Sequence, residues 1–164
     1  MSFVVPTAFF KLHATLRGDA REAAGRPGSG NGFLPHGVAV PRLLPVKLHL
    51  EKLPASLADQ RETLARCLEA MNAAQPLRRV ILFGSHARGE ARPDSDVDLC
   101  LVADGAERQL VAAAEWRRSM RPVRPKLSFT LIPITPTRLR EKQSCRDFFF
   151  ATVMREGVLL ATEN

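Results

Sequence analysis

Residues 84–99 read GSHARGEARPDSDVDL, and they join two apolar runs, RVILF at 79–83 and VDLCLV at 97–102. The first run, β-branched and aromatic and ended by Gly84, reads as a strand entering a turn. The second is bounded by Arg92, Pro93 and Asp94 before it and by Asp104 and Gly105 after it, and reads as another strand. A Gly-Ser pair thus leaves one strand and an Asp-x-Asp pair enters the next. Glycine lets the backbone approach a phosphate closely, and Ser85 adds a hydroxyl and an N–H at the start of a helix, which together make an anion cradle. Asp96 and Asp98, two residues apart in a strand, project from one face and can hold a hard cation between them. Mg²⁺ suits such a pair, since it takes one or two protein carboxylates while phosphate oxygens and water complete its octahedron.

Outward from this segment the pattern alternates. Upstream, Leu57, Leu64, Leu68 and Met71 recur at helical spacing until Pro76, with Ser56 and Asp59 resembling a capping box. Downstream, residues 107–120 read as a helix with basic residues in its last turn, 127–132 as a strand, and 135–142 as a short helix opened by Pro136. Residues 146–156 read as a helix stopped by Gly157, and 158–160 as a closing strand. Helices interleaved with strands, and no internal repeat, predict a mixed α/β domain. Residues 1–50 read as a disordered or linker extension, because 17–45 are rich in Gly and Pro; the domain is expected over 51–164.

Composition narrows the class. A chain of 164 residues, 45% hydrophobic and 25% charged, has apolar material for one core. Charges or prolines interrupt every apolar run before the ~20 residues a bilayer span requires, so no membrane partner is expected. Cys67, Cys100 and Cys145 are odd in number and far apart, which points to reduced thiols in a cytoplasmic protein rather than a disulfide framework or a zinc site. The net charge of +7 favours anionic partners. It is diffuse and lacks an aromatic-interleaved basic stripe, so nucleic acid is not the expected partner. His86 has no second histidine beside it in sequence and reads as structural; Trp116 and the run Phe148, Phe149, Phe150 read as core or interface packing. Three consecutive phenylalanines cannot all face one core, so at least one marks a contact surface.

The combination of Gly84-Ser85, ten intervening residues and Asp96-x-Asp98 resembles the signature of the minimal nucleotidyltransferases of the DNA polymerase beta-like superfamily. Ala87-Arg88-Gly89 and the Ser95 before the first aspartate also match that family's usual wording. The resemblance runs from about residue 56 to the end. It implies a nucleotidyltransferase fold of the α/β (α+β) class, a three- to four-stranded mixed sheet flanked by helices. It implies nucleotide binding by Gly84, Ser85, Arg88 and Ser95, with Asp96 and Asp98 as the catalytic, metal-holding pair. Mg²⁺ as cofactor and ATP or another NTP as substrate follow from the same likeness. Small bacterial proteins of this kind resemble the antitoxin half of a toxin–antitoxin pair that transfers AMP to a HEPN-type toxin, so a protein partner is expected, and an oligomer is compatible.

One departure opens an alternative. Catalytic members of the family have a third acidic residue on the third strand, whereas this strand reads KLSFTLI over 126–132. Period-2 alternation separates Leu127, Phe129 and Leu131 from Ser128 and Thr130, so Thr130, with Ser128 as the alternative, falls at the carboxylate position. A hydroxyl is a poor metal ligand and no general base near pH 7. The reading is therefore an Mg²⁺-dependent transferase or, alternatively, an inert nucleotidyltransferase-like binding or antitoxin subunit.

Overall fold

The computed structural model describes residues 46–164. The disordered or linker segment expected upstream falls, as far as residue 45, outside the described residues. Strand β1, Val46–Leu48, opens the described chain and is followed by 3-10 turns at Leu50–Lys52 and Ala55–Gln60. Then come α1 (Arg61–Ala74), β2 (Arg79–Phe83), α2 (Gly84–Arg88), β3 (Val97–Val102) and α3 (Gln109–Ser119). The chain ends with β4 (Phe129–Ile134), α4 (Pro136–Ser144), α5 (Phe148–Glu156) and β5 (Val158–Glu163). The mixed α/β class holds, with five strands where three or four were expected. The additional strand, β1, lies upstream of residue 51, where the domain was expected to begin, and pairs with β5.

The sheet order is β1-β5-β2-β3-β4, antiparallel throughout except for the parallel pair β3 and β4. That pair requires a crossover, which α3 supplies. Both faces of the sheet are covered, which is why β2 and β3 read as nearly continuous apolar runs. On one face α1 and α3 bring Leu64, Leu68, Met71 and the fully buried Trp116 against Val80, Leu82, Leu99 and Leu101. On the other, Leu139 of α4 and Phe150 and Val153 of α5 close over Ile81, Cys100, Val102 and Ile134. Asp98 shares strand parity with Cys100 and Val102, so it belongs to the α4/α5 face.

Local chemistry sets the element ends. The residues from Ser56 to Gln60 form a 3-10 turn rather than the first turn of α1, and the Ser56 hydroxyl caps no helix; it pairs with Nδ1 of His86 at 3.0 Å. Leu57 still reaches the core, because the turn delivers it there. Thr135 caps α4 by accepting from the Arg138 N–H, with Pro136 in the first turn. Asp147 caps α5 through the Phe150 N–H at 3.2 Å. Cys67 and Cys100 are buried and Cys145 exposed, all three as free thiols; burial pushes Cys100 up to about 12.

Candidate functional site

Gly84 leaves β2 with φ +72°, a left-handed conformation that side chains other than hydrogen tolerate poorly. A Cβ there would collide with the Asp98 carboxylate, so the glycine is needed both for the turn and for the close approach of Asp98. Ser85 follows in the short helix α2, half-buried, and its carbonyl accepts from the Glu90 N–H at 2.9 Å. The loop back to β3 is a tight turn. The Ser95 N–H donates to the Arg92 carbonyl at 3.0 Å, while the Ser95 hydroxyl accepts from the Arg92 N–H at 2.9 Å. Asp96 is exposed just before β3, and Asp98 is half-buried within it.

Asp98 is paired in register with Phe83 on β2 and with Thr130 on β4. Thr130 thus stands at the position where the family likeness calls for a carboxylate, and its hydroxyl hydrogen-bonds Asp98. Burial pushes the Asp98 carboxyl above the ordinary aspartate value. The Thr130 hydrogen bond opposes this, the neighbouring Asp96 charge adds to it, and His86 and Arg88 act against it. Arg88 is exposed and ion-paired with Glu90 at 2.9 Å. His86 is buried at 5% exposure and bridges Ser56 to the Ser95 carbonyl, the latter at a long 3.4 Å. It is a brace for the loop that carries the aspartates, in line with its structural reading.

The fold therefore brings Gly84, Ser85, Asp96 and Asp98 to one end of β2 and β3, with Arg88 near enough to act on Asp98 electrostatically. Ser95 comes with them, but its hydroxyl is engaged in the turn. Asp104 and Glu107, the nearest acidic residues after β3, lie beyond its far end. Val102 is already four residues past Asp98, about 13 Å along the strand, and Asp104 is committed to Arg78 at 2.6 Å. Neither replaces the missing third carboxylate. Among the described residues no cluster of three or more His, Cys, Asp or Glu forms a metal cage.

Sequence reasoning missed the Ser56–His86 link and an aromatic contact beside the site. Phe83, directly opposite Asp98, meets Phe149 of α5 edge-on with ring centroids 5.5 Å apart. No local pattern signals either, because the partners are 30 and 66 residues apart in the chain.

A glycine-serine turn thus stands beside two aspartates, one just before β3 and one within it, at one edge of an α/β domain. The family model of the nucleotidyltransferase domain matches residues 64–154, more than half of the chain and all of the site, and the protein belongs to that family. A crystal structure of a Sulfolobus solfataricus protein described as a nucleotidyltransferase is similar at 19% identity and a TM-score of 0.42. It covers 63% of this chain and 81% of its own. No curated protein matches the chain.

Proposed function

We propose that this domain transfers AMP from ATP to a hydroxyl of a protein partner, as the antitoxin of a cytoplasmic toxin–antitoxin pair whose toxin is of the HEPN type. The observation that supports it most directly is the turn at Gly84, whose missing Cβ leaves room for Asp98 beside the start of α2. Asp96 and Asp98 fit Mg²⁺ by their chemistry, two carboxylates at the start of β3, one exposed and one half-buried, leaving coordination positions for phosphate oxygens and water. When bound, that ion would neutralise the triphosphate and orient its α-phosphorus.

The chain's own residues do the rest. The Gly84–Ser85 backbone and the Ser85 hydroxyl receive phosphate oxygens. Arg88, exposed on α2 and ion-paired with Glu90, exchanges that partner for a phosphate and supplies positive charge. The acceptor oxygen bonds to the α-phosphorus as the bond to pyrophosphate breaks. Thr130 is no base near pH 7, so the hydroxyl proton leaves to water, and slow transfer is expected.

Thr130 also favours a second reading, an inert subunit that binds nucleotide and toxin without transfer. Fluorescent ATP titrated into the native chain and Asp96→Asn, with and without Mg²⁺, tests the site common to both. Affinity that needs Mg²⁺ and Asp96 is the expected result; equal affinity in all four conditions would overturn the proposal.

A further inference from the structure

Charge that reads as diffuse along the sequence is gathered at one place by the fold. Residues 115–126 read EWRRSMRPVRPK, with Arg117, Arg118, Arg121, Arg124 and Lys126 against the single carboxylate of Glu115. They close α3 and form its connection to β4, and α1, packed on α3, adds Arg66. Arg124 donates to the Arg121 and Val123 carbonyls at 2.6 and 2.8 Å, Lys126 to the Arg121 carbonyl at 3.1 Å, and Arg66 to the Arg124 carbonyl at 3.3 Å. Those acceptors are neutral, so the positive charge stays uncompensated. Among the described residues none of the six cations has an ion-pair partner, although Glu62, Glu69 and Glu115 are close in sequence.

Three of the six, Arg117, Arg121 and Lys126, line a pocket of about 230 Å³, and no carboxylate lines it with them. Its apolar lining includes Met120, Val123, Leu127 and Phe129. Cys67 lines it too; burial pushes that thiol up while Arg66 and Lys126 act against the rise, which places both cations close to the pocket. Phe129 packs with the α1/α3 core, whereas its neighbour Thr130 bonds Asp98 on the α4/α5 face. The Ser128 carbonyl accepts from the N–H of Val97, the residue between the two aspartates, at 2.9 Å. The pocket therefore lies at the same end of the sheet as Asp96 and Asp98 but on the opposite face, apart from the phosphate cradle.

Its size and chemistry select the ligand. At about 230 Å³ it falls below the roughly 300–1,000 Å³ of pockets for drug-sized ligands, and holds a single side chain. Nucleic acid asks for an extended track of cations and for aromatic faces on which bases stack. Here the bonded carbonyls span only residues 121–124, at most about 11 Å of chain, Trp116 is fully buried and Phe129 half-buried. A compact arginine-rich rim over one apolar hole matches an apolar side chain flanked by carboxylates, which arginine forks can hold two oxygens at a time.

We infer that this pocket docks an acidic segment of the protein partner, one apolar side chain seated against Met120 and Phe129 and its neighbouring carboxylates on Arg117, Arg121 and Lys126. The inference rests on the proposed transfer reaction only in making that partner the acceptor. Two short peptides, a leucine flanked by glutamates and the same peptide with glutamines, are titrated into the isotope-labelled full chain and followed by backbone amide shifts. The glutamate peptide is expected to shift Arg117, Arg121, Lys126 and Phe129 and to bind at least about three-fold more tightly, since each exposed pair contributes a factor of roughly 1.4 to 5. Added salt should narrow that gap. Arg117→Glu with Arg121→Glu, both at exposed positions, should cancel or reverse the preference while the Mg²⁺-dependent ATP affinity stays as in the native chain. Serine in place of the peptide's leucine should weaken binding.

Equal binding of the two peptides, no binding, or shifts confined to another surface would overturn the inference. So would a single-stranded oligoribonucleotide that moves the same amides at lower concentration, which would give the patch to nucleic acid, or ATP alone moving them, which would give it to the nucleotide. Absence of Mg²⁺-dependent ATP affinity in the native chain would sink the transfer reading instead, and leave the peptide result to stand on its own.

Discussion

At the scale of single residues the site depends on one missing side chain and one substituted one. Gly84→Ala would force a left-handed alanine, costing about 1–2 kcal/mol, and would push its methyl into the Asp98 carboxylate. The expected outcome is a lower thermal midpoint together with loss of ATP affinity, measured by calorimetry and fluorescent-nucleotide titration; an alanine variant that keeps both would contradict the close approach described. Thr130→Asp restores a carboxylate next to Asp98 in the register. Transfer to the acceptor should rise by about 10²–10⁴-fold, the usual contribution of a general base, and an unchanged rate in a labelled-ATP assay would mean that position 130 does not face the attacking group. Much of this was legible in advance, since the Gly84, Asp96 and Asp98 spacing is local, as is the period-2 alternation that narrows the third position to Thr130 or Ser128; the register of β3 and β4 then pairs Thr130 with Asp98. The roles of His86 and Phe149 were not. Their partners, Ser56 and Phe83, come from distant segments that only the folded sheet brings together.

At the scale of elements, β2 and β3 match the sequence reading residue for residue, because runs buried on both faces have sharp polar boundaries. The reading of β4 as 127–132 falls two residues early, for the strand runs Phe129–Ile134 and carries Pro133 inside it. On this edge strand the Ser128 and Ile134 carbonyls bond to β3, so by alternation the Pro133 backbone faces outward, where no N–H is needed; its carbonyl accepts from Gln109 at 2.7 Å. Helix α5 positions Phe149 and Phe150, and it is anchored by Asp147, which caps it and pairs with Lys142. The Lys142 hydrogen bond first, and then the Phe150 N–H, hold the Asp147 carboxyl below the ordinary aspartate value. Its stabilisation is therefore complete above the unfolded-state value and is lost as pH falls through the lower folded-state value. Asp147→Asn should lower the urea midpoint at neutral pH, and the gap to the native protein should close in acid below that folded value. A gap that persists there would show that the charge of Asp147 is not what holds α5.

At the scale of the whole molecule, the described chain is a five-stranded sheet between two helical layers, with Asp98 on the α4/α5 face. Interleaved helical and strand patterns sufficed for the class. Strand β1 was hidden because Val46–Leu48 has only three residues next to a proline-rich stretch, too short for a period to register. Its place at the sheet edge is decided by pairing with β5, at the other end of the chain. Membership of the nucleotidyltransferase family makes nucleotidyl transfer the central claim, and Thr130 makes it the claim most in need of a direct test. The measurement is incubation of α-labelled ATP and Mg²⁺ with proteins of the host cell, using the full chain in its native form and as Asp96→Asn and Asp98→Asn. The account predicts label on a discrete acceptor with the native chain alone, identifiable by its mass. Nucleotide bound by the native chain with no label transferred would contradict it and leave the inert binding subunit.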